Sequence, residues 1–118
     1  MFLYSRRKDG REALFEEFKG TLTEQYACQE LIASCGLVPY YWSAENSRGE
    51  VDLLVQSAGT VYAIEVKAEE NLRAKSLRSF KEKYSEVQAR RFSLSDYREQ
   101  NWLTNVPLYL MGNTGLWL

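Results

Sequence analysis

The sequence predicts an α/β domain in which a central mixed sheet of four or five strands is flanked by helices. Three stretches carry that expectation. The run from Glu50 to Lys67 alternates at a period of two on either side of Ala58-Gly59, Leu22 to Gly36 repeats apolar residues at helical spacing, and Leu72 to Tyr84 is amphipathic. At 118 residues, 45% hydrophobic and 14% aromatic, the chain can bury one core and has little material for a second.

Residues 1–17 read as an N-terminal arm and linker, with Asp9-Gly10 as a turn signal, and residues 18–118 as a single domain. Leu14, Phe15 and Phe18 are spaced for a turn or two of helix that breaks or bends at Gly20. Thr21 or Thr23 can cap the next helix, in which Leu22, Tyr26, Ala27, Leu31 and Ile32 form the apolar stripe before a stop at Gly36. Leu37 to Trp42 is expected as the first strand, with Pro39 marking an edge or a strand entry, and Asn46-Ser47-Arg48-Gly49 is the turn that follows.

Glu50 to Lys67 reads as a β-hairpin turning at Ala58-Gly59. Whether the loop has two or four residues, partner numbers sum to 117, which sets Asp52 across from Glu65 and Glu50 across from Lys67. The other face then receives Val51 with Val66, Leu53 with Ile64 and Val55 with Tyr62, an apolar surface ready to pack on a helix or a second sheet.

The helix after Lys67 is expected to bury Leu77, Phe80 and Tyr84 and to present Arg73, Lys75, Arg78, Lys81 and Lys83 elsewhere. Val87 to Leu94 reads as a fourth strand with Val87, Ala89 and Arg91 on one side and Gln88, Arg90 and Phe92 on the other. Asp96 to Asn105 is expected as a connector pinned by Tyr97 and Trp102. Val106 to Met111 reads as a fifth strand, placed at an edge by Pro107. That edge and the tail Leu116-Trp117-Leu118 are candidates for self-association as a homodimer, or for docking onto a partner domain.

Composition narrows the chemistry. There is no histidine, which removes imidazole-based nucleophilic, acid-base and zinc chemistry. Cys28 and Cys35 lie seven residues apart on one expected helix, a rise of about 10 Å, so no disulfide joins them. The formal net charge of -1 argues against a protein coated with phosphate-binding charge. No stretch approaches transmembrane length and Met1 to Arg11 lacks the apolar core of a signal peptide, so a cytoplasmic location without membrane association is expected. The absence of a G-x-x-x-x-G-K-[ST] loop leaves no expectation of nucleotide hydrolysis.

Paired carboxylates across a hairpin repel unless positive charge lies between them. Lys67 supplies part of that charge, and a hard divalent cation such as Mg²⁺ or Mn²⁺ would supply more, because such ions take oxygen ligands and are often held by one or two carboxylates. Asp52, Glu65 and Lys67 therefore have the parts of a phosphodiester hydrolase: acids to hold an ion, and a lysine to position water or steady charge developing on phosphate. A solvated strand face of mixed charge explains the same alternation without any chemistry.

Glu50-x-Asp52 followed by Glu65-Val66-Lys67 on the next strand resembles the acid-then-(D/E)xK pattern of the PD-(D/E)xK nuclease superfamily. The likeness is longer than the motif. Phe18-Lys19-Gly20-Thr21-Leu22-Thr23-Glu24-Gln25, Tyr40-Tyr41-Trp42-Ser43, the hairpin, and Asp96-Tyr97-Arg98 through Trp102 to Tyr109 resemble the C-terminal domain of a prokaryotic family of predicted AAA+ ATPases, a domain of unknown function regarded as a relative of those nucleases. The resemblance implies a restriction-endonuclease-like core and Mg²⁺-dependent cleavage of DNA. By that likeness Asp52 and Glu65 hold the ion, with the Val66 carbonyl as a further ligand. Lys67 positions water or steadies charge, and Glu50 and Glu24 are second-rank acids. No proline precedes Asp52, and Glu50 competes for the same role.

By the same likeness Ser76 and Ser79 fall in the region where relatives sometimes place an extra polar site residue, Ser76 being the better candidate. Glu24 is equally a helix-start glutamate favoured by the macrodipole. From Asn71 to Arg91 seven basic residues face two acids, a local balance of +5. With Arg48, the residues Arg73, Lys75, Ser76 and Arg78 are candidates for tracking a DNA or other nucleic-acid backbone; an ordinary solvated helix face is the competing explanation. The other function weighed is a nuclease-fold module without catalysis that binds nucleic acid, a partner or the ATPase domain of a parent protein.

Overall fold

Alternation and turn chemistry decide the centre of the fold. A computed structural model describes residues 10–41, 53–67 and 75–118, with side chains in 22–41, 53–67 and 77–118. Leu53–Ser57 (β2) and Thr60–Val66 (β3) form the expected hairpin, paired Leu53 with Ile64 through Ser57 with Thr60. The turn needs both central residues at positive φ, which Ala58 (53°) and Gly59 (84°) adopt.

Around this hairpin the described residues form a sheet of six strands, two of them only two residues long. Tyr40–Tyr41 (β1) pairs antiparallel with β2; Gln88–Ser93 (β4) lies parallel to β3, and Leu103–Pro107 (β6) parallel to β4. Arg98–Glu99 (β5) pairs antiparallel with β6 and closes the order β1-β2-β3-β4-β6-β5. A parallel neighbour cannot follow through a tight turn, and Lys75–Lys83 (α2) lies within the long connection from β3 to β4.

The two sheet faces are covered by different elements. Leu53, Val55, Tyr62, Ile64, Phe92 and Val106 point to one side, where Ala27 and Leu31 of Gly10–Ala33 (α1) close the core with Met111 and Trp117. The opposite face places Ala63, Ala89 and Leu103 beneath Leu77 and Phe80 of α2. Each of the larger apolar side chains gains about 1.5–3 kcal/mol on leaving water, so both faces contribute to stability.

Several expectations are corrected. α1 runs through Gly20 without a break. A single glycine costs a helix about 1 kcal/mol, which tertiary packing of the remaining turns can offset. Of its expected stripe only Ala27 and Leu31 are buried, while Leu22, Tyr26 and Ile32 are exposed. Gly36, at φ +70°, stops the helix as expected, with the Leu37 N–H donating to the Leu31 carbonyl at 2.9 Å. The first strand is confined to Tyr40 and Tyr41 among the described residues.

On α2, Tyr84 lies beyond the last helical residue and is exposed, so among the described side chains Leu77 and Phe80 form the buried seam. The last strand begins at Leu103 rather than Val106, and Pro107 ends it instead of marking an edge; Leu108–Leu110 continues as a 3-10 turn. Two residues of the expected connector, Arg98 and Glu99, form β5. Within the tail Trp117 is not a free apolar surface, whereas Leu118 is exposed. Trp117 is 2% exposed, its indole N–H donates to the Met111 carbonyl at 2.8 Å, and its ring meets Phe92 and Tyr62 edge-on. Among the described residues no helix is long and apolar enough to cross a membrane.

Candidate functional site

Strand β3 brings Glu65 to the face covered by α2, since Glu65 lies two residues from Ala63 and strand side chains alternate. Its side chain is fully buried. The Lys67 N–H donates to the Phe92 carbonyl at 2.9 Å, extending the parallel ladder past β3, and this holds the lysine on the same side as Glu65. Lys67 Nζ stands 3.9 Å from Glu65 Oε2, with 19% of its side chain exposed. A partly exposed lysine therefore lies beside a carboxylate removed from water.

Parallel pairing sets the next members of the row. Glu65 is level with Arg91 of β4, Arg91 with Asn105 of β6, and Asn105 with Arg98 of β5. Arg91 and Asn105 are buried, while Arg98 is exposed. Arg91 Nε donates to Asn105 Oδ1 at 2.9 Å, and the Ser93 hydroxyl donates to the same oxygen at 2.8 Å. Asn105 Nδ2 donates in turn to the carbonyls of Ser95 at 3.3 Å and Asp96 at 2.9 Å. The amide thus uses two acceptor and two donor positions, its whole ordinary capacity.

Burial pushes the Arg91 guanidinium below the ordinary arginine value; Glu65 pulls it back up, and Arg98 lowers it further. The guanidinium stays charged, because arginine begins so far above neutrality. Arg90, next in sequence, points to the other face. It donates from Nε to the Trp117 carbonyl at 2.8 Å and lies 5.3 Å over the Tyr62 ring.

The remaining expected site residues divide three ways. Val66 follows Glu65 on β3, and its side chain packs against the core on the opposite face. Glu24 is half-buried on α1, the helix that covers that opposite face. Asp52, Glu50, Arg48 and Arg73 lie outside the described residues, as do the side chains of Lys75 and Ser76. Arg78 is exposed, pairs with Glu82 at 3.5 Å and lies 5.7 Å from the Trp102 ring centre.

The basic charge of α2 is also less available than its sequence suggests. Lys81 donates to the carbonyls of Ser85 at 2.7 Å and Val87 at 2.6 Å, tying the end of the helix to the start of β4. Lys83 lies 5.5 Å over Tyr84.

Sequence reasoning missed Arg91, Ser93, Asn105 and Arg98 as neighbours of the Glu65 position. The alternation of the strand sets Arg91 on the Ala89 side, as expected, but carries no signal that this side lies level with Glu65 on β3.

As a cation site, the described donors are of the hard-oxygen kind, and Glu65 fits as one ligand. Among the described residues no three His, Cys, Asp or Glu side chains cluster as a metal centre. The second carboxylate expected from the sequence, Asp52, lies outside the described residues.

Comparison with curated proteins gives no match to this chain. The family model described as a domain of unknown function, DUF4143, matches residues 19–111, and the chain belongs to that family.

Proposed function

We propose that this chain is a nuclease-like domain with a restriction-endonuclease-like core, hydrolysing phosphodiester bonds of DNA with Mg²⁺ or Mn²⁺. The reading rests on one observation. The described hairpin pairs Leu53 with Ile64, the register from which the sequence argument sets Asp52 across from Glu65, and Lys67 Nζ lies 3.9 Å from that glutamate. A divalent ion held by Glu65 and Asp52 would polarise a phosphoryl oxygen and make water a better nucleophile.

The protein's own groups have distinct tasks in this reading. Glu65, buried on β3, offers an oxygen whose field is little screened by water. Lys67, partly exposed beside it, steadies negative charge growing on the phosphate. Arg98, exposed in the same row, is placed to meet a backbone phosphate without reading sequence. The ATPase domain of a parent protein and a second copy of the chain remain proposed partners, the latter without Trp117 as an anchor.

A second reading, a nuclease-fold module that binds but does not cut, is favoured by Arg91, whose charge acts on Glu65 from the neighbouring strand. Cleavage assays separate the two. Purified chain is incubated with linear duplex, branched and single-stranded DNA in Mg²⁺, Mn²⁺ or Ca²⁺, with Lys67→Ala alongside. Cutting by wild type in Mg²⁺ or Mn²⁺ that Lys67→Ala abolishes upholds the first reading; binding with no cutting on every substrate leaves the second.

A further inference from the structure

The charges around Glu65 make an unusual count for a cation site. Within the described residues one carboxylate faces two cations, Lys67 at 3.9 Å and Arg91 level with it on β4. Arg91 is not a surface arginine free to swing away. It is 5% exposed, its Nε is fixed on Asn105, and Asn105 is fixed by Ser93 and by the carbonyls of Ser95 and Asp96. Asn105 has no spare hydrogen-bonding position, so the arginine cannot leave without breaking a satisfied buried network.

We propose that Arg91 is the standing counter-ion of Glu65, a positioning residue that occupies electrostatically the place of a divalent cation and holds the site's ion affinity down. The inference rests on the proposed metal site and adds its regulation: an arriving ion must share Glu65 with a fixed guanidinium. Two physical points support it. A buried carboxylate needs compensating charge in the folded protein whether or not an ion is bound, and a group locked by the fold supplies that charge at all times. A fixed positive charge level with the carboxylate on the neighbouring strand also opposes a second cation strongly where water is excluded.

The sign of this effect separates it from a merely structural role. An arginine that only supports the fold loses ion affinity when replaced, because the site loosens. An arginine that competes with the ion gains affinity on replacement, even though the protein melts lower. The full chain is titrated calorimetrically with Mn²⁺ and with Ca²⁺ alone, as wild type, Arg91→Gln and Arg91→Lys, with thermal melting of each.

The expected result is binding to Arg91→Gln at least about tenfold tighter than to wild type, wild-type-like affinity in Arg91→Lys, and a lower melting point for Arg91→Gln without ions. Should the glutamine variant not fold, Arg91→Met, which fills similar length without charge or donors, takes its place with the same expectation. Equal or weaker ion binding by the uncharged variant overturns the inference and leaves the metal site standing. Binding only to the uncharged variant upholds the inference while removing ion-dependent cleavage from the wild type. Binding to none of the proteins overturns both.

Discussion

Arg91 Nε donates a 2.9 Å hydrogen bond to Asn105 Oδ1 between adjacent parallel strands, and both side chains are buried on the face that carries Glu65. Asparagine succeeds here because it can receive from Arg91 and Ser93 while giving to two loop carbonyls. Neither a carboxylate nor an apolar residue can do both.

Asn105→Ala should therefore be among the most damaging single changes outside the apolar core. It removes the acceptor of two buried donors, Arg91 Nε and the Ser93 hydroxyl, at about 1–3 kcal/mol for each group left buried without a partner, while the part-buried Ser95 and Asp96 carbonyls lose their donor at less cost. Urea denaturation should show a loss of at least about 3 kcal/mol, and Asn105→Asp should also destabilise, because its oxygens would face the Ser95 and Asp96 carbonyls. A loss under about 1 kcal/mol for the alanine variant would mean that water reaches these groups.

Ala58 is the non-glycine residue that the described structure holds at positive φ. A left-handed conformation costs an ordinary L-residue about 1–2 kcal/mol, and asparagine tolerates it better. Ala58→Asn, giving the Asn-Gly pair preferred in such turns, should raise stability by about 0.5–1 kcal/mol. Gly59→Ala should lower it by about 1 kcal/mol. Midpoints moving together in the same direction for both variants would contradict the turn geometry.

The contrast between β3 and β6 explains what the sequence made legible. The hairpin could be read in register because two alternating strands flank a short turn, so one constraint fixed every pair from Leu53 to Ser57. β6 was displaced by three residues because Asn105 looks like a loop residue until Arg91, fourteen positions earlier, is known to lie beside it. Local pattern cannot register a polar side chain whose partners come from other strands. The candidate site divides along the same line. Glu65 and Lys67 were visible from spacing within one strand, whereas their cationic neighbour Arg91 became visible only through the parallel pairing of β3 with β4. The run Val106 to Met111 misled for a simpler reason: it is apolar throughout, and Met111 is buried from a turn rather than a strand.

Trp117 should behave as core despite lying one residue from the end of the sequence. Its ring packs edge-on to Phe92 at 5.0 Å and to Tyr62 at 5.9 Å between centres. Trp117→Ala is expected to cost about 3–5 kcal/mol in urea denaturation. If the tail were instead a docking surface, the same variant would change the oligomeric state by light scattering and leave the monomer's stability within about 0.5 kcal/mol.

The two lysines at the end of α2 should respond differently to removal. Lys81 gives two short hydrogen bonds to carbonyls, one at Val87 where β4 approaches, whereas Lys83 makes contact only with the Tyr84 ring among the described residues. Lys81→Met should cost about 1.5–3 kcal/mol, the range for hydrogen bonds involving a charged group. Lys83→Ala should fall within about 0.5 kcal/mol of wild type. Thermal melting distinguishes them, and equal effects would show that the helix charge is interchangeable.

The thiol of Cys35 offers a test that reads electrostatics directly. Burial pushes its pKa up, and the negative charge of Glu30 adds to the shift. The Cys35 Sγ donates to the Met111 carbonyl at 3.5 Å, a contact available to the thiol and not to the thiolate. Since only the thiolate attacks, alkylation of Cys35 by iodoacetamide in a Cys28→Ser background should be slower at pH 8 than that of an unburied cysteine. Glu30→Gln removes the smaller of the two causes. Its rate profile should move to lower pH, with about a twofold faster reaction at pH 8, while staying above that of the unburied thiol because burial is unchanged. A profile that does not move in Glu30→Gln would show that desolvation alone sets the thiol's reactivity.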